Sequence, residues 1–269
     1  MNKKLLVLDL DGTLTNSQKE VTPKTREAIG RLQAAGHLVA LASGRPTAGI
    51  RKIAELLELD KKGGYVLAFN GARIIDWKTE EILFQQTLGH KYLEELLSGA
   101  VRHGLTIMTY RDEYAIAGTP ANEYARFEAK INGLTIQPVE NFAEYVDFPI
   151  NKCLLSGDPA EVKKCEDEFL ASMGEELSIF KSEDFFLEVM AKNIDKAASL
   201  DRLIKMIGIR QEDVVCCGDG YNDISMIQYA GVGVAMENAK DVVKEAADVI
   251  AGSNDEDGLV PIIEKYFLN

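Results

Sequence analysis

Residues 6–17 read LVLDLDGTLTNS, an apolar run that ends in Asp9-Leu10-Asp11-Gly12-Thr13. How that ending is read decides the fold. Residues 4–10 suit a buried strand, and strand side chains alternate faces, so a regular strand sets Asp9 and Asp11 on one side. Two such charges about 4 Å apart repel by roughly 4 kcal/mol at an effective dielectric near 20. A proton, a cation or a ligand has to offset that. In open parallel sheets, ligands sit beyond the carboxyl ends of the strands, which is where these acids fall.

The residues around this stretch support such a sheet. Thr22-Pro23 offers an N-cap and a proline at the first helical position, and Gly36 stops the helix after about residue 35. Residues 38–42 form a second strand, followed by Ser43-Gly44-Arg45-Pro46 and a helix to about residue 59; residues 65–69 form a third strand. Short strands separated by helices predict right-handed βαβ units. Alternation returns late in the chain, with helices at 194–207, 221–230, 238–247 and 256–267, and strands at 213–217, 232–236 and 248–251. Between the two parts the rhythm changes to helix at 90–103, a hairpin at 105–117, helix at 122–131, strand at 151–156, helix at 159–173 and a hairpin at 177–190. The reading is an α/β protein. Its Rossmann-like parallel-sheet core, residues 1–83 and 191–269, is interrupted by an inserted α+β cap at 84–190.

The totals exclude several classes. The chain has 269 residues, 46% apolar and 27% charged, which is ordinary for a globular protein. No run approaches the roughly 20 apolar residues that cross a bilayer, and the N-terminal apolar stretch meets two aspartates with no cleavage site after it. A net charge of −13 argues against sequence-independent nucleic-acid binding. Cys153, Cys165, Cys216 and Cys217 lack metal-type spacing and read as buried, reduced thiols of a cytoplasmic protein. His37, His90 and His103 sit in no recognisable motif.

Polar residues gather at the predicted strand ends. Asp9 and Asp11 end the first strand, Ser43 and Gly44 the second, and Gly218-Asp219-Gly220-Tyr221-Asn222-Asp223 follows the strand at 213–217. Lys196 lies in the first turn of the helix that returns from the cap. Asp9, Asp219 and Asp223 supply the hard oxygen ligands that Mg2+ prefers, beside water and phosphate. A carboxylate can attack phosphorus, which suits Asp9. Asp11 can protonate the leaving oxygen and then activate water. Ser43 with neighbouring N–H groups at a helix N-terminus can hold phosphate oxygens, and Lys196 adds a point charge.

Each segment alone has a plainer reading. Asp-Gly is a common turn pair, Ser43 could cap the helix before Pro46, Lys196 could be a solvated helix-start lysine, and Asn222 and Asp223 could cap the next helix. Arg45 reads as a surface salt bridge, Cys216 and Cys217 as core, and Trp77, Tyr110 and Tyr114 as packing residues of the hairpins. Convergence of four distant segments favours the functional reading.

Asp9–Leu14 (DLDGTL), Ser43–Pro46 (SGRP), Lys196 and Gly218–Asp223 (GDGYND) resemble the four motifs of the haloacid dehalogenase-like hydrolases. Asn70-Gly71-Ala72, the inserted cap, Gly233–Ala239 (GVAMENA) and Ser253–Gly258 (SNDEDG) extend the resemblance to the Cof-type branch with a large cap. The resemblance implies Asp9 as nucleophile and Asp11 as general acid/base. It implies Mg2+ held by Asp9, the Asp11 carbonyl and Asp219, with Asp223 assisting. It further implies that Ser43, Gly44, Lys196 and Asn222 contact phosphate. One departure is Ala197, where relatives often carry Gly after the motif lysine. The expectation is a Mg2+-dependent phosphatase of small phosphorylated metabolites, sugar phosphates first, working through an aspartyl-phosphate. The competitors are a phosphosugar mutase and a non-catalytic phosphometabolite-binding protein. A phosphonatase would typically need a cap lysine forming a Schiff base, and a dehalogenase lacks the second aspartate.

Overall fold

The computed structural model describes residues 3–269. The chain begins β1 (Leu5–Leu8), α1 (Pro23–Ala34), β2 (Leu38–Ala42), α2 (Thr47–Leu56), α3 (Leu59–Lys62), β3 (Tyr65–Ala68), β4 (Arg73–Asp76) and β5 (Glu81–Gln85). It continues α4 (Leu93–Arg102), β6 (Thr106–Arg111), β7 (Tyr114–Ala117), α5 (Glu123–Asn132), β8 (Thr135–Pro138), α6 (Phe142–Tyr145), β9 (Lys152–Ser156), α7 (Pro159–Met173), β10 (Leu177–Glu183) and β11 (Phe186–Ala191). It ends α8 (Lys196–Ile207), β12 (Val214–Gly218), α9 (Ile224–Tyr229), β13 (Val232–Ala235), α10 (Asp241–Glu245), β14 (Val249–Ile250) and α11 (Leu259–Ile263).

Two compact units result. One comprises Met1–Gly44, Ile50–Phe84 and Asp195–Asn269; the other Arg45–Gly49 and Gln85–Ile194. The first unit carries an eight-stranded sheet in the order β14-β13-β12-β1-β2-β3-β4-β5. From β14 to β3 the strands run parallel, and β4 turns back antiparallel to β3. Strands buried on both faces need near-continuous apolar sequence, and β1 (LLVL) and β2 (LVALA) have it. Leu5, Val7, Ala40, Ala42 and Cys216 pack with Leu200, Leu203 and Ile204 of α8. Thr22 caps α1 by accepting from the Thr25 N–H, with Pro23 in the first turn as its sequence predicts.

The second unit is a six-stranded sheet in the order β10-β11-β9-β6-β7-β8. One of its faces carries Ile107, Cys153, Leu155, Leu187 and Val189, buried with Leu96 of α4 and Phe169 of α7. All four cysteines are free and buried. Among the described residues no helix is long and apolar enough to cross a membrane.

Several elements depart from the sequence reading. β1 stops at Leu8 rather than running to residue 10, because the chain turns: Leu14 N–H donates to Asp9 O at 3.2 Å and Thr15 N–H to Leu10 O at 2.9 Å. α2 ends at Leu56, and Glu58, left-handed at φ 56°, separates it from α3. The helix expected at 238–247 shrinks to α10, since the Asn238 amide bonds Gly12 O and the Asn254 N–H instead of capping it. Strands β4, β5 and β8 lie in stretches for which the sequence pattern predicts none.

Candidate active site

The site is built at the carboxyl ends of β1, β2 and β12, all in the first unit. β1 and β12 are in register, Leu8 against Cys217, and the Asp9 N–H extends the ladder to Cys217 O at 3.0 Å. Asp9 therefore follows one strand while Asp219 follows its neighbour. Lys196 arrives from the first turn of α8. That helix is capped by Asp195, whose carboxylate accepts from the Ala198 N–H at 2.9 Å, and it is tied down by Ser199 Oγ donating to Gly71 O at 2.7 Å.

Lys196 Nζ donates to Asp9 Oδ1 at 2.7 Å and to Asp223 Oδ1 at 2.5 Å. The lysine is 1% exposed, which rules out a solvated helix-start residue. Carboxylate oxygens of Asp9, Asp219 and Asp223 lie within 4.8 Å of one another. Burial is the chief cause that raises the Asp9 carboxyl, and with the Asp223 carboxylate it outweighs the pull of Lys196 to leave it at about 8. Burial likewise lifts Asp219 to about 6, against the Thr13 hydroxyl, which donates to Asp219 Oδ1 at 2.7 Å. For Lys196 burial works downward, but the Asp223 and Asp9 carboxylates overcome it and hold the ammonium above its ordinary range.

Three carboxylates thus meet one ammonium. Ionised, they leave a surplus of two negative charges on hard oxygen donors, which fits a divalent cation such as Mg2+. Asp223 has both oxygens engaged: Oδ2 accepts from the Asp219 and Gly220 N–H groups at 3.0 and 2.9 Å while Oδ1 holds Lys196. What the contacts show for Asp223 is that it shapes the loop carrying Asp219. Asp9 and Asp219 are the carboxylates better left to a cation.

Asp11 is elsewhere. With β1 ended at Leu8, Asp9 is 6% exposed whereas the Asp11 side chain is 36% exposed and pairs with Lys19 Nζ at 2.8 Å. The repulsion expected between Asp9 and Asp11 is replaced by that among Asp9, Asp223 and Asp219.

Ser43 directly follows β2, but α2 starts only at Thr47, so Ser43 is no helix cap. Its N–H donates to Leu67 O and its carbonyl accepts from the Asn70 N–H, both at 2.9 Å. Asn70 then joins the remaining predicted residues: its Oδ1 accepts from Asn222 Nδ2 at 3.1 Å, and its amide would stand 3.2 Å from a Cβ on Gly44. Sequence reasoning gave Asn70 no role. Its left-handed backbone, φ 55°, is the conformation an Asn-Gly pair favours, and that pair is the one sign the sequence offers. Thr13 was likewise passed over, as was the steric need at Gly12. There φ is +89°, and a Cβ would lie 2.3 Å from Asp219 Oδ2. Arg45 donates to Gly49 O at 3.2 Å. Trp77 is buried after β4 under the Arg51 guanidinium, Tyr110 is buried, and Tyr114 is 37% exposed.

Comparison with known proteins bears on this geometry. Residues 6–263 match the family model of the haloacid dehalogenase-like hydrolases. The 5-amino-6-(5-phospho-D-ribitylamino)uracil phosphatase YcsE of Bacillus subtilis is 30% identical over 98% of this chain and 96% of its own. A haloacid dehalogenase-like hydrolase from Bacteroides thetaiotaomicron superposes with a TM-score of 0.95 at 41% identity, covering 99% of this chain and 100% of that one. The subclass IIB sugar phosphatase BT4131 superposes at 0.82 with 27% identity, over 98% of this chain and 99% of that one.

Proposed function

The chain belongs to the haloacid dehalogenase-like hydrolases and is a phosphoric monoester hydrolase of that family, and from that premise we propose a Mg2+-dependent phosphatase of sugar phosphates that works through an aspartyl-phosphate on Asp9. One observation carries the reading. A buried carboxylate at a strand end is held by a buried ammonium, with two further carboxylates within 4.8 Å.

Asp9 Oδ attacks phosphorus, and the bond from phosphorus to the leaving oxygen breaks. Asp11 gives that oxygen its proton. Its partial exposure lets it exchange protons with solvent and substrate, while Lys19 at 2.8 Å favours the carboxylate form in which it activates water. Asp11 then takes a proton from a water that attacks the same phosphorus, which frees phosphate and returns Asp9 as a carboxylate. Lys196 orients Asp9 and offsets charge on the phosphoryl oxygens. Ser43, Gly44 and Asn222, linked through Asn70, provide the phosphate-side donors. Asp9, Asp219 and the Asp11 carbonyl would hold the cation, which supplies charge neutralisation and keeps Asp9 ionised. Support for sugar phosphates comes from the names of the relatives, one a sugar phosphatase and one acting on a phosphoribityl compound. Four free, buried thiols support a reducing, cytoplasmic setting.

The test is phosphate release from a panel of phosphorylated metabolites, with Mg2+ and with EDTA. Release highest on hexose or pentose phosphates and abolished by EDTA is expected. An isomeric sugar phosphate as product, with no free phosphate, would overturn the hydrolytic reading.

A further inference from the structure

The chain between β1 and α1 forms no helix or strand, yet it is held at many points. Asn16 closes a turn over residues 16–20. Its N–H donates to Glu20 O and its carbonyl accepts from the Lys19 N–H, both at 2.9 Å. Its Oδ1 accepts from the Gln18 and Glu20 N–H groups at 3.0 and 2.9 Å. The turn sets Lys19 in the left-handed region, φ 63°. A lysine there is strained, and such strain persists only where the surroundings over-determine it. Glycine would adopt that φ at no steric cost. What glycine lacks is the ammonium. Lys19 Nζ lies 2.8 Å from Asp11 Oδ1, and Asp11 is its only ionic partner among the described residues.

The groups that hold the turn come from the far end of the chain. Asp255 grips Ser17 with both oxygens, Oδ1 accepting from the Ser17 N–H at 2.8 Å and Oδ2 from its hydroxyl at 2.7 Å. The Asn254 amide donates to Thr15 O at 2.9 Å. Asn238 donates to Gly12 O at 2.8 Å and accepts the Asn254 N–H at 3.0 Å. Asp257 accepts from the hydroxyls of Thr22 and Thr25, past the turn. All of these residues belong to the first unit. Their contacts give a task to Gly233–Ala239 and Ser253–Gly258, two stretches that the chemistry at the strand ends leaves unused.

Stability does not explain the arrangement. The Lys19 and Asp11 side chains are 56% and 36% exposed, and an ion pair that open contributes little to folding. It does select one orientation of the Asp11 carboxylate, and that bears on one half of the reaction more than the other. Once Asp11 has given its proton to the leaving oxygen, it is an anion that the ammonium can hold. It stays an anion until water attacks: the water oxygen bonds to phosphorus, its proton passes to Asp11, and the bond from phosphorus to Asp9 breaks. Protonated again, Asp11 is a weaker partner for Lys19 and is released for the next leaving group.

We propose that Lys19, presented by the turn that Asp255 clamps, is a positioning residue for the second half of the reaction, holding the Asp11 carboxylate in place while water attacks the aspartyl-phosphate. The inference rests on the aspartyl-phosphate reading above and adds Lys19 and Asp255 to it.

The test follows the phosphoenzyme itself. The enzyme is loaded with labelled acetyl phosphate and Mg2+, chased with unlabelled substrate and acid-quenched over time, which gives the rates of formation and decay. In Lys19→Gly the decay should slow about 2- to 5-fold, the range an exposed ion pair sustains, while formation keeps its wild-type rate. The melting temperature should stay within about 2 °C of wild type, because glycine relieves the strained φ. Asp255→Ala keeps the lysine but frees the turn. It should slow decay to a similar extent, and the double variant should be no slower than Lys19→Gly alone. Wild-type decay in a folded Lys19→Gly would overturn the proposal. So would formation slowed as much as decay, or slowing that multiplies in the double variant. A larger fall in melting temperature would make Lys19 a structural residue instead. A phosphoenzyme that never forms in wild type would remove the aspartyl-phosphate reading and this proposal with it. One that forms on Asp9 and decays alike in every variant would remove this proposal alone.

Discussion

Replacing Lys196 by Met keeps the length of the side chain and removes its charge from between Asp9 and Asp223. The two contacts, at 2.7 and 2.5 Å, are each worth about 6 kcal/mol at an effective dielectric near 20, before the cost of burying the ions. Removing one member of such a buried set typically costs about 3–5 kcal/mol, because the remaining charges are left uncompensated. Burial holds the Asp9 carboxyl above its ordinary value, so it can take up a proton once the ammonium is gone, which limits the loss to the lower end of that range. About 3 kcal/mol corresponds to roughly 6–12 °C in melting temperature for a chain of this size class. The assay is calorimetry of both proteins in EDTA. The deficit should narrow when Mg2+ is added, since a cation then offsets the same carboxylates, while phosphate release stays at least about 100-fold down. Melting within about 2 °C of wild type in EDTA would refute the reasoning, because the ammonium would then not be what makes the acidic cluster tolerable.

Other expectations follow from single contacts. Gly12→Ala sets a Cβ 2.3 Å from Asp219 Oδ2 at a φ of +89°, so the Mg2+ concentration giving half-maximal activity should rise about 10- to 100-fold, read by titration. Mg2+ at about 100 times its dissociation constant should stabilise the protein by about 2.7 kcal/mol, and Asp219→Asn should cancel most of that in a melting experiment. His37 is buried, accepts the Lys4 N–H at Nδ1 (3.1 Å), and is lowered from its ordinary value of 6.5, with burial as the chief cause. Its contribution is therefore complete above pH 6.5 and lost as pH falls towards the folded value, so the acid side of a stability–pH profile should flatten in His37→Gln.

Elements with strong local signals were legible in the sequence. Thr22-Pro23 places an N-cap before a proline and α1 starts there, and the helix expected at 159–173 is α7 residue for residue. The apolar run 38–42 is β2 residue for residue. Turns that depend on left-handed residues other than glycine were not legible. Glu58 and Phe69 adopt φ of 56° and 54°, and no side-chain pattern announces this in advance, whereas Asn70, at 55°, stands before Gly71 in a pair that favours it. The turn at Leu10 that separates Asp11 from Asp9 has a different cause: its one left-handed residue is Gly12, and the apolar run up to Leu10 gives no sign that the strand has already ended. Periodicity places residues on faces only while the strand continues, and β1 ends at Leu8. Which residues gather was readable because strand ends of one parallel sheet converge. Which carboxylate bonds which donor was not, because that depends on loop contacts such as Asp223 to the Asp219 and Gly220 N–H groups.

The central claim is that phosphorus is bonded to Asp9 during turnover. Acid-quenching the enzyme while it turns over a hexose phosphate with Mg2+, then mapping the peptides by mass spectrometry, tests it most directly. One phosphoryl group is expected on the peptide carrying Asp9, absent in Asp9→Asn, which should also release no phosphate. A phosphoryl group on any other residue, or undiminished turnover in Asp9→Asn, would contradict it.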